Sequence, residues 1–248
     1  HYYRLNIYFH KLMNSPDHFR DGTRFSQVMA IYNNDSWLRN RLLTILEPIE
    51  INTRTQISHY LGITYGSDAF YQNVICKDEA IYKIILDNFT NEISRNSKDP
   101  VIKHHKTNYG GYFPIWVVIE FLSFNTLSKY YGNLQEKNKK TIARNSYHVN
   151  DFFLGQWLHM LSVLRNICAH YGYLFRREYP LRPKMATEFG WDSSKNNSLF
   201  ATFLVMRRLS ETAPWNEFIQ EIGDREKTGS FFHLRDYGFP DDWRSYLV

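Results

Sequence analysis

The chain has 248 residues, of which 43% are hydrophobic and 22% charged, with 12 Gly and 8 Pro; this excludes disordered, collagen-like and low-complexity classes and allows a sizeable core without covalent staples. Its two cysteines, Cys76 and Cys168, lie far apart without CxxC spacing, which excludes a disulfide framework and a cysteine-built zinc site and makes a reducing, cytoplasmic compartment the expectation. Aromatic residues make up 17%, and 30 Lys+Arg against 25 Asp+Glu leave a net charge of +5. RNA-binding surfaces combine rings that stack on bases with cations that pair with phosphates. Ordinary cores are rich in rings too, and composition alone favours that plainer account.

The opening His1-Tyr2-Tyr3-Arg4-Leu5 reads as the interior of an element, so an upstream segment is expected before it. Leu38, Leu42, Ile45, Ile49, Ile57 and Tyr60 keep helical spacing; Pro48 is expected to kink or divide that helix and Gly62 to end it. Ser67-Asp68 can cap a short helix toward Cys76. Lys77-Asp78 precedes an amphipathic stretch carrying Ile81, Ile84, Ile85, Leu86 and Phe89, which Asp99-Pro100 closes.

Residues 103–111 read as a basic, turn-rich loop, and the adjacent His104 and His105 cannot face one ligand from a helix, so no metal site is expected there. Residues 115–127 read as one buried core helix, too short an apolar run to span a bilayer, and no membrane association is expected. A short basic segment, 134–144, carries Lys137, Lys139, Lys140 and Arg144, read as a solvated face with an RNA groove as the sharper option.

Asn150-Asp151 caps a helix expected over 152–172. Arg176, Arg177, Arg182 and Lys184 follow in a stretch broken by Pro180 and Pro183, then helical segments over 199–212 and 215–222 and a turn-like tail whose Phe239 and Trp243 should dock on the body. No alternating run is long enough for a sheet, and neither a repeat nor a long linker is present. One mainly helical domain over residues 1–248 is the expectation.

The helix over 152–172 carries the chemistry. On a wheel of about 100° per residue, Leu154, Met160, Leu161, Leu164, Ile167 and Cys168 share an arc of about 140°. His159, Ser162, Asn166 and His170 line the opposite side, with Arg165 at the border. Arg165 to His170 forms R-N-x-x-x-H. Arginine offers a permanent charge with forked donors suited to phosphate, and histidine exchanges protons near neutrality. Such a pair can serve phosphodiester cleavage without a metal. The same spacing also fits a purely structural role, in which Arg165 pairs with a carboxylate, Asn166 bonds backbone and His170 steadies the helix C-terminus through its dipole.

At these residues the chain resembles the Abi-like abortive infection proteins (AbiD/AbiF type) of the HEPN superfamily. The blocks that carry the resemblance are Tyr2-Tyr3-Arg4-Leu5 with Tyr8-Phe9; Ile31-Tyr32 followed by Leu38-Arg39; Ile49-Glu50 through Arg54; Pro114-Ile115-Trp116 through Phe124; Trp157-Leu158 through His170; and Gly238-Phe239-Pro240 with Trp243. The related R-x4-H-x-Y motif has Tyr where this chain has Gly172, with Tyr173 one residue later.

The resemblance implies an all-α, HEPN-like helical bundle with additional helices, and a metal-independent endoribonuclease acting as an anti-phage toxin without a cofactor. It implies a composite site across a homodimer, in which Arg165, Asn166 and His170 are catalytic, and RNA partners that include a substrate and a noncoding RNA antitoxin. The expected RNA-binding residues are Lys137, Lys139, Lys140, Arg144, Arg176 and Arg177. Two alternatives stay open: a non-catalytic RNA-binding sensor or scaffold using the same polar stripe, and a dimerising interaction protein in which the motif is structural. Glu50 with Arg54, and Arg39, read either as structural ion-pairing groups or as supports for Arg165.

Overall fold

The computed structural model describes residues 2–16, 18–185 and 187–248; His1, and the expectation attached to it, lies outside them. Among the described residues the helices are α1 (Tyr2–Lys11), α2 (Phe25–Tyr65), α3 (Glu79–Arg95), α4 (Pro100–Asn108), α5 (Ile115–Phe121), α6 (Phe124–Asn133), α7 (Glu136–Tyr147), α8 (Asp151–Ala169), α9 (Leu199–Leu209), α10 (Thr212–Thr228) and α11 (Trp243–Leu247). The strands described are β1 (Met13–Ser15) and β2 (His18–Phe19), paired antiparallel. The all-α expectation therefore holds. Contacts divide the chain into two compact units, one of His1–Ile49 with Val163–Val248 and the other of Glu50–Ser162. No helix among the described residues is long and apolar enough to cross a membrane.

Helix α2 runs for 41 residues with Pro48 inside it, so the proline does not divide it. Leu38, Leu42, Ile45, Ile49, Ile57 and Leu61 are all buried along its length. Pro48 and Thr44, whose carbonyl loses its helical donor, are both exposed to water. Burial of the continuous seam outweighs the interior proline, whose cost is about 3 kcal/mol. Gly62 lies within the last turns instead of ending the helix, and the chain turns at Gly66, where φ is +89°.

In the second unit, Asp78 caps α3 by accepting from the Ile81 amide, and the buried face carries Tyr82, Ile85, Phe89 and Ile93. Ile81 and Ile84 point outward, at 40% and 54% exposure, because the seam follows Tyr82 and the 3.6-residue period leaves them on the far side. The expected loop at 103–111 is instead mostly α4. Asp99 accepts from the Val101 and Ile102 amides and Pro100 takes the first turn, so this pair starts a helix and does not merely close the previous one.

The expected single helix at 115–127 is two, α5 and α6. Leu122 is extended (ψ 133°) and the Ser123 side chain accepts from the Thr126 amide, opening a new helix. Helix α3 packs on α5 and α6, with Phe70 edge-on to both Phe89 and Tyr130.

In the first unit, Phe203 meets Phe218, Trp215 and Phe239, and α9 packs on α11. Phe239 and Trp243 are buried, so the tail docks as expected. Helix α9 ends at Leu209, where the Ser210 amide closes on Met206, and α10 extends to Thr228.

Replacing Pro48 with Ala restores a helical donor at a solvent-facing site, so Pro48→Ala should raise unfolding stability by on the order of 1–3 kcal/mol in urea titration. An unchanged or lowered midpoint would show that the proline geometry is itself required.

Candidate functional site

Helix α8 starts where the Asn150 side chain accepts from the Phe152 amide. Leu154, Trp157, Leu158, Met160, Leu161, Leu164 and Cys168 are buried along it. The opposite stripe is not one open face. Ser162 is fully buried, and its hydroxyl donates to the His159 carbonyl at 2.8 Å. This back-bond satisfies the serine inside its own helix and removes it from the stripe. His159 is half-buried, and burial together with the Lys129 charge pushes its pKa below the usual value.

The motif occupies the last turn of α8. Arg165 and Asn166 are half-buried, with an Arg165 Nη1 to Asn166 Oδ1 distance of 3.4 Å. The His170 amide donates to the Asn166 carbonyl at 3.0 Å, and His170 itself is exposed. The helix stops here, short of the expected residue 172. Tyr171 turns left-handed at φ 61°, its amide reaches the Cys168 carbonyl at 3.2 Å, and the Gly172 amide reaches the Ile167 carbonyl at 2.7 Å. These two bonds form a Schellman closure that satisfies the terminal carbonyls and leaves His170 as the capping residue. A Cβ on Gly172 would sit 2.8 Å from Ile167 Cγ2 and 3.0 Å from Ile167 O. A side chain at this position, such as the Tyr of R-x4-H-x-Y, would require the turn to open.

A buried network holds the segment that follows. Asp35, with no exposed surface, accepts the Tyr8 hydroxyl at 2.7 Å and the Leu174 amide at 2.6 Å, and lies 3.5 Å from Arg39. Arg39, only 3% exposed, donates to the Gly172 carbonyl at 3.2 Å. Burial pushes the Asp35 carboxyl above its usual range, against the lowering by the Leu174 amide, the Tyr8 hydroxyl and Arg39. The i, i+4 spacing of Asp35 and Arg39 is readable in the sequence. Their partner Leu174, 139 residues from Asp35, is not.

Arg54 pairs with Glu50 at 2.5 Å and also donates to the Ile119 carbonyl. Of the expected RNA-contacting residues, Lys137, Lys140 and Arg144 are exposed on α7, whereas Lys139 pairs with Glu136 at 2.9 Å. Arg176 bonds Asp236 at 2.7 Å and the Lys11 carbonyl at 3.2 Å. Arg177 donates to the Tyr173 carbonyl at 3.3 Å and lies over the Tyr173 ring at 4.7 Å. Both arginines thus have partners inside the first unit. Arg4 lies over the Tyr171 ring at 4.7 Å, and Lys11 over Tyr173 at 5.7 Å.

Among the described residues, no group of three or more His, Cys, Asp or Glu side chains is arranged to hold a metal ion. Burial pushes the Cys168 thiol up to about 12 and the Cys76 thiol up to about 11, so neither is a thiolate nucleophile at neutral pH.

The model of the family described as Abi-like protein matches residues 1–176. That is more than two thirds of the chain, it includes the whole of α8 and the residues around Asp35, and the chain belongs to this family. Membership points to abortive infection, a phage-defence role. The Gly238-Phe239-Pro240 and Trp243 block lies beyond the matched range. No curated protein and no solved structure matches.

Asp35→Ala leaves the Arg39 charge buried without its carboxylate, and unfolding stability should fall by about 3–5 kcal/mol. The Asp35→Ala/Arg39→Ala double variant should lose less than the sum of the single losses, and strict additivity would mean that the two groups do not act together.

Thiol reagents at pH 8 should label neither cysteine in the native protein and both in urea. The folded chain keeps the two thiol protons above pH 9, where an ordinary thiol loses them. Their contribution to stability is therefore whole below that pH and is lost as pH rises toward 11 and 12. The melting temperature should fall across that window, and a flat profile would contradict the burial.

Proposed function

We propose that the chain is a metal-independent endoribonuclease of the HEPN type, acting as an abortive-infection toxin on RNA and controlled by a noncoding RNA. One observation carries this reading: the exposed imidazole of His170 stands at the closed end of α8, one turn beyond Asn166, with the Arg165 guanidinium leaning toward Asn166. Family membership supports the defence role. In this reading His170 takes the proton of a ribose 2′-OH as the 2′-oxygen attacks the adjacent phosphorus. The P–O5′ bond breaks, a 2′,3′-cyclic phosphate forms, and the leaving 5′-oxygen is protonated by an acid. That acid is His170 of a second copy in the composite arrangement, and Arg165 stabilises the charge developing on the phosphoryl oxygens. Asn166 orients the imidazole or holds a phosphate oxygen.

The test is cleavage of single-stranded RNA by the purified protein in excess EDTA, with the product ends analysed for cyclic phosphate. His170→Ala and Arg165→Ala should each lower the rate about 100-fold or more with an unchanged melting temperature. Cleavage retained by the double variant would remove these residues from the chemistry.

A second reading, RNA binding without cleavage, draws on the exposed Lys137, Lys140 and Arg144 of α7. Binding in that case should survive His170→Ala, weaken when the three cations are neutralised, and fall linearly in log affinity against log salt.

A further inference from the structure

The residue after His170 is unusual on three independent counts. Tyr171 sits at φ 61°, a conformation that favours glycine. It is a large aromatic residue, yet 64% exposed. The guanidinium of Arg4, itself exposed, lies 4.7 Å from its ring centroid. A tyrosine in a glycine position gains nothing for the helix end, since Gly would close the same Schellman turn without the Cβ penalty. Nor does the ring contribute to the core. Two residues on, Tyr173 has Lys11 at 5.7 Å and Arg177 at 4.7 Å, so a second ring close to His170 in the chain is also paired with cations.

From this arrangement we propose that Tyr171, backed by Arg4, is a stacking platform for an unpaired nucleobase of single-stranded RNA, placing the strand beside His170. The proposal rests on the ribonuclease reading above for its choice of RNA, and deepens it by naming what holds the substrate. An aromatic face accepts any base, and the cation behind it strengthens the stack and neutralises a nearby phosphate. The closed turn fixes the backbone that carries the ring before the strand arrives, so less backbone freedom is lost on binding than from a mobile loop. Tyr171 is a positioning residue here, and the proton chemistry stays with His170.

The test measures binding of a fluorescent 2′-O-methyl RNA oligonucleotide, which cannot be cleaved through its 2′-oxygen, beside a DNA oligonucleotide of the same sequence. Tyr171→Ala should weaken RNA binding about tenfold, and Tyr171→Phe should restore it because the ring remains. Tyr171→Gly should weaken binding equally while holding or raising the melting temperature, a combination that a merely structural tyrosine would not produce. Arg4→Ala should weaken binding and flatten its salt dependence, whereas Tyr171→Ala should leave the salt slope unchanged.

Wild-type affinity in the Ala and Gly variants overturns the platform, as does binding of DNA alone. Cleavage assays of the same proteins on natural RNA separate the two ideas. If His170→Ala abolishes cleavage while the Tyr171 variants bind and cleave normally, the platform falls and the ribonuclease stands. If wild-type protein binds RNA through Tyr171 but never cleaves it, the ribonuclease falls and the platform stands.

Discussion

The first compact unit is organised around the carboxylate of Asp35. Completely removed from solvent, the carboxyl draws its partners through one oxygen: Oδ2 meets the Tyr8 hydroxyl of α1, Arg39 of its own helix α2, and the Leu174 amide beyond α8. Arg39 closes the circuit by donating to the Gly172 carbonyl. A buried carboxyl tolerates few arrangements of its partners, because displacing one leaves a polar group unpaired in a medium of low dielectric constant. The short segment between Gly172 and Leu174 is thereby fastened at both ends, and His170, two residues before it, is presented from a fixed helix terminus instead of a mobile loop.

That fastening explains the local backbone. The Schellman closure puts its left-handed residue at position 171, and the close approach of Gly172 to Ile167 leaves no room for a side chain at the next position. Glycine is therefore spent on the close contact, and tyrosine takes the conformation that glycine normally fills. The result is an exposed ring directly after His170, carried on a closed turn with the Arg4 guanidinium 4.7 Å from its centroid. The same packing draws Arg176 and Arg177 into bonds with Asp236, Lys11 and Tyr173, so two cations that look like surface charges in the sequence act as internal fasteners.

Much of this was legible one element at a time. The burial of Leu154, Met160, Leu161, Leu164 and Cys168 follows from their 3.6-residue spacing, the docking of the tail from Phe239 and Trp243, and the caps at Asp78 and Asn150 from residue type. Readings failed where a local signal had two meanings. Asp99-Pro100 suits either the close of one helix or the start of the next, and the start is what forms, with the Asp99 side chain accepting from the Val101 and Ile102 amides and Ile102 buried. Pro48 breaks an isolated helix but is tolerated at a solvent-facing site when the seam beneath it is buried. Ser123 was hidden in an apolar run, yet its hydroxyl opens a new helix there.

The sequence by itself determined a mainly helical chain, the helix that carries Arg165 and Asn166 with His170 at its end, and the resemblance to the Abi-like family, whose model matches residues 1–176. All of these depend on residue type and near spacing, which survive without knowledge of the fold. The tertiary structure decided which polar residues face water, that Ser162 is sealed while His170 is open, and that Asp35 reaches Leu174 across 139 residues. Those outcomes depend on where distant segments meet, and no local pattern encodes a contact whose partner lies more than half the chain away.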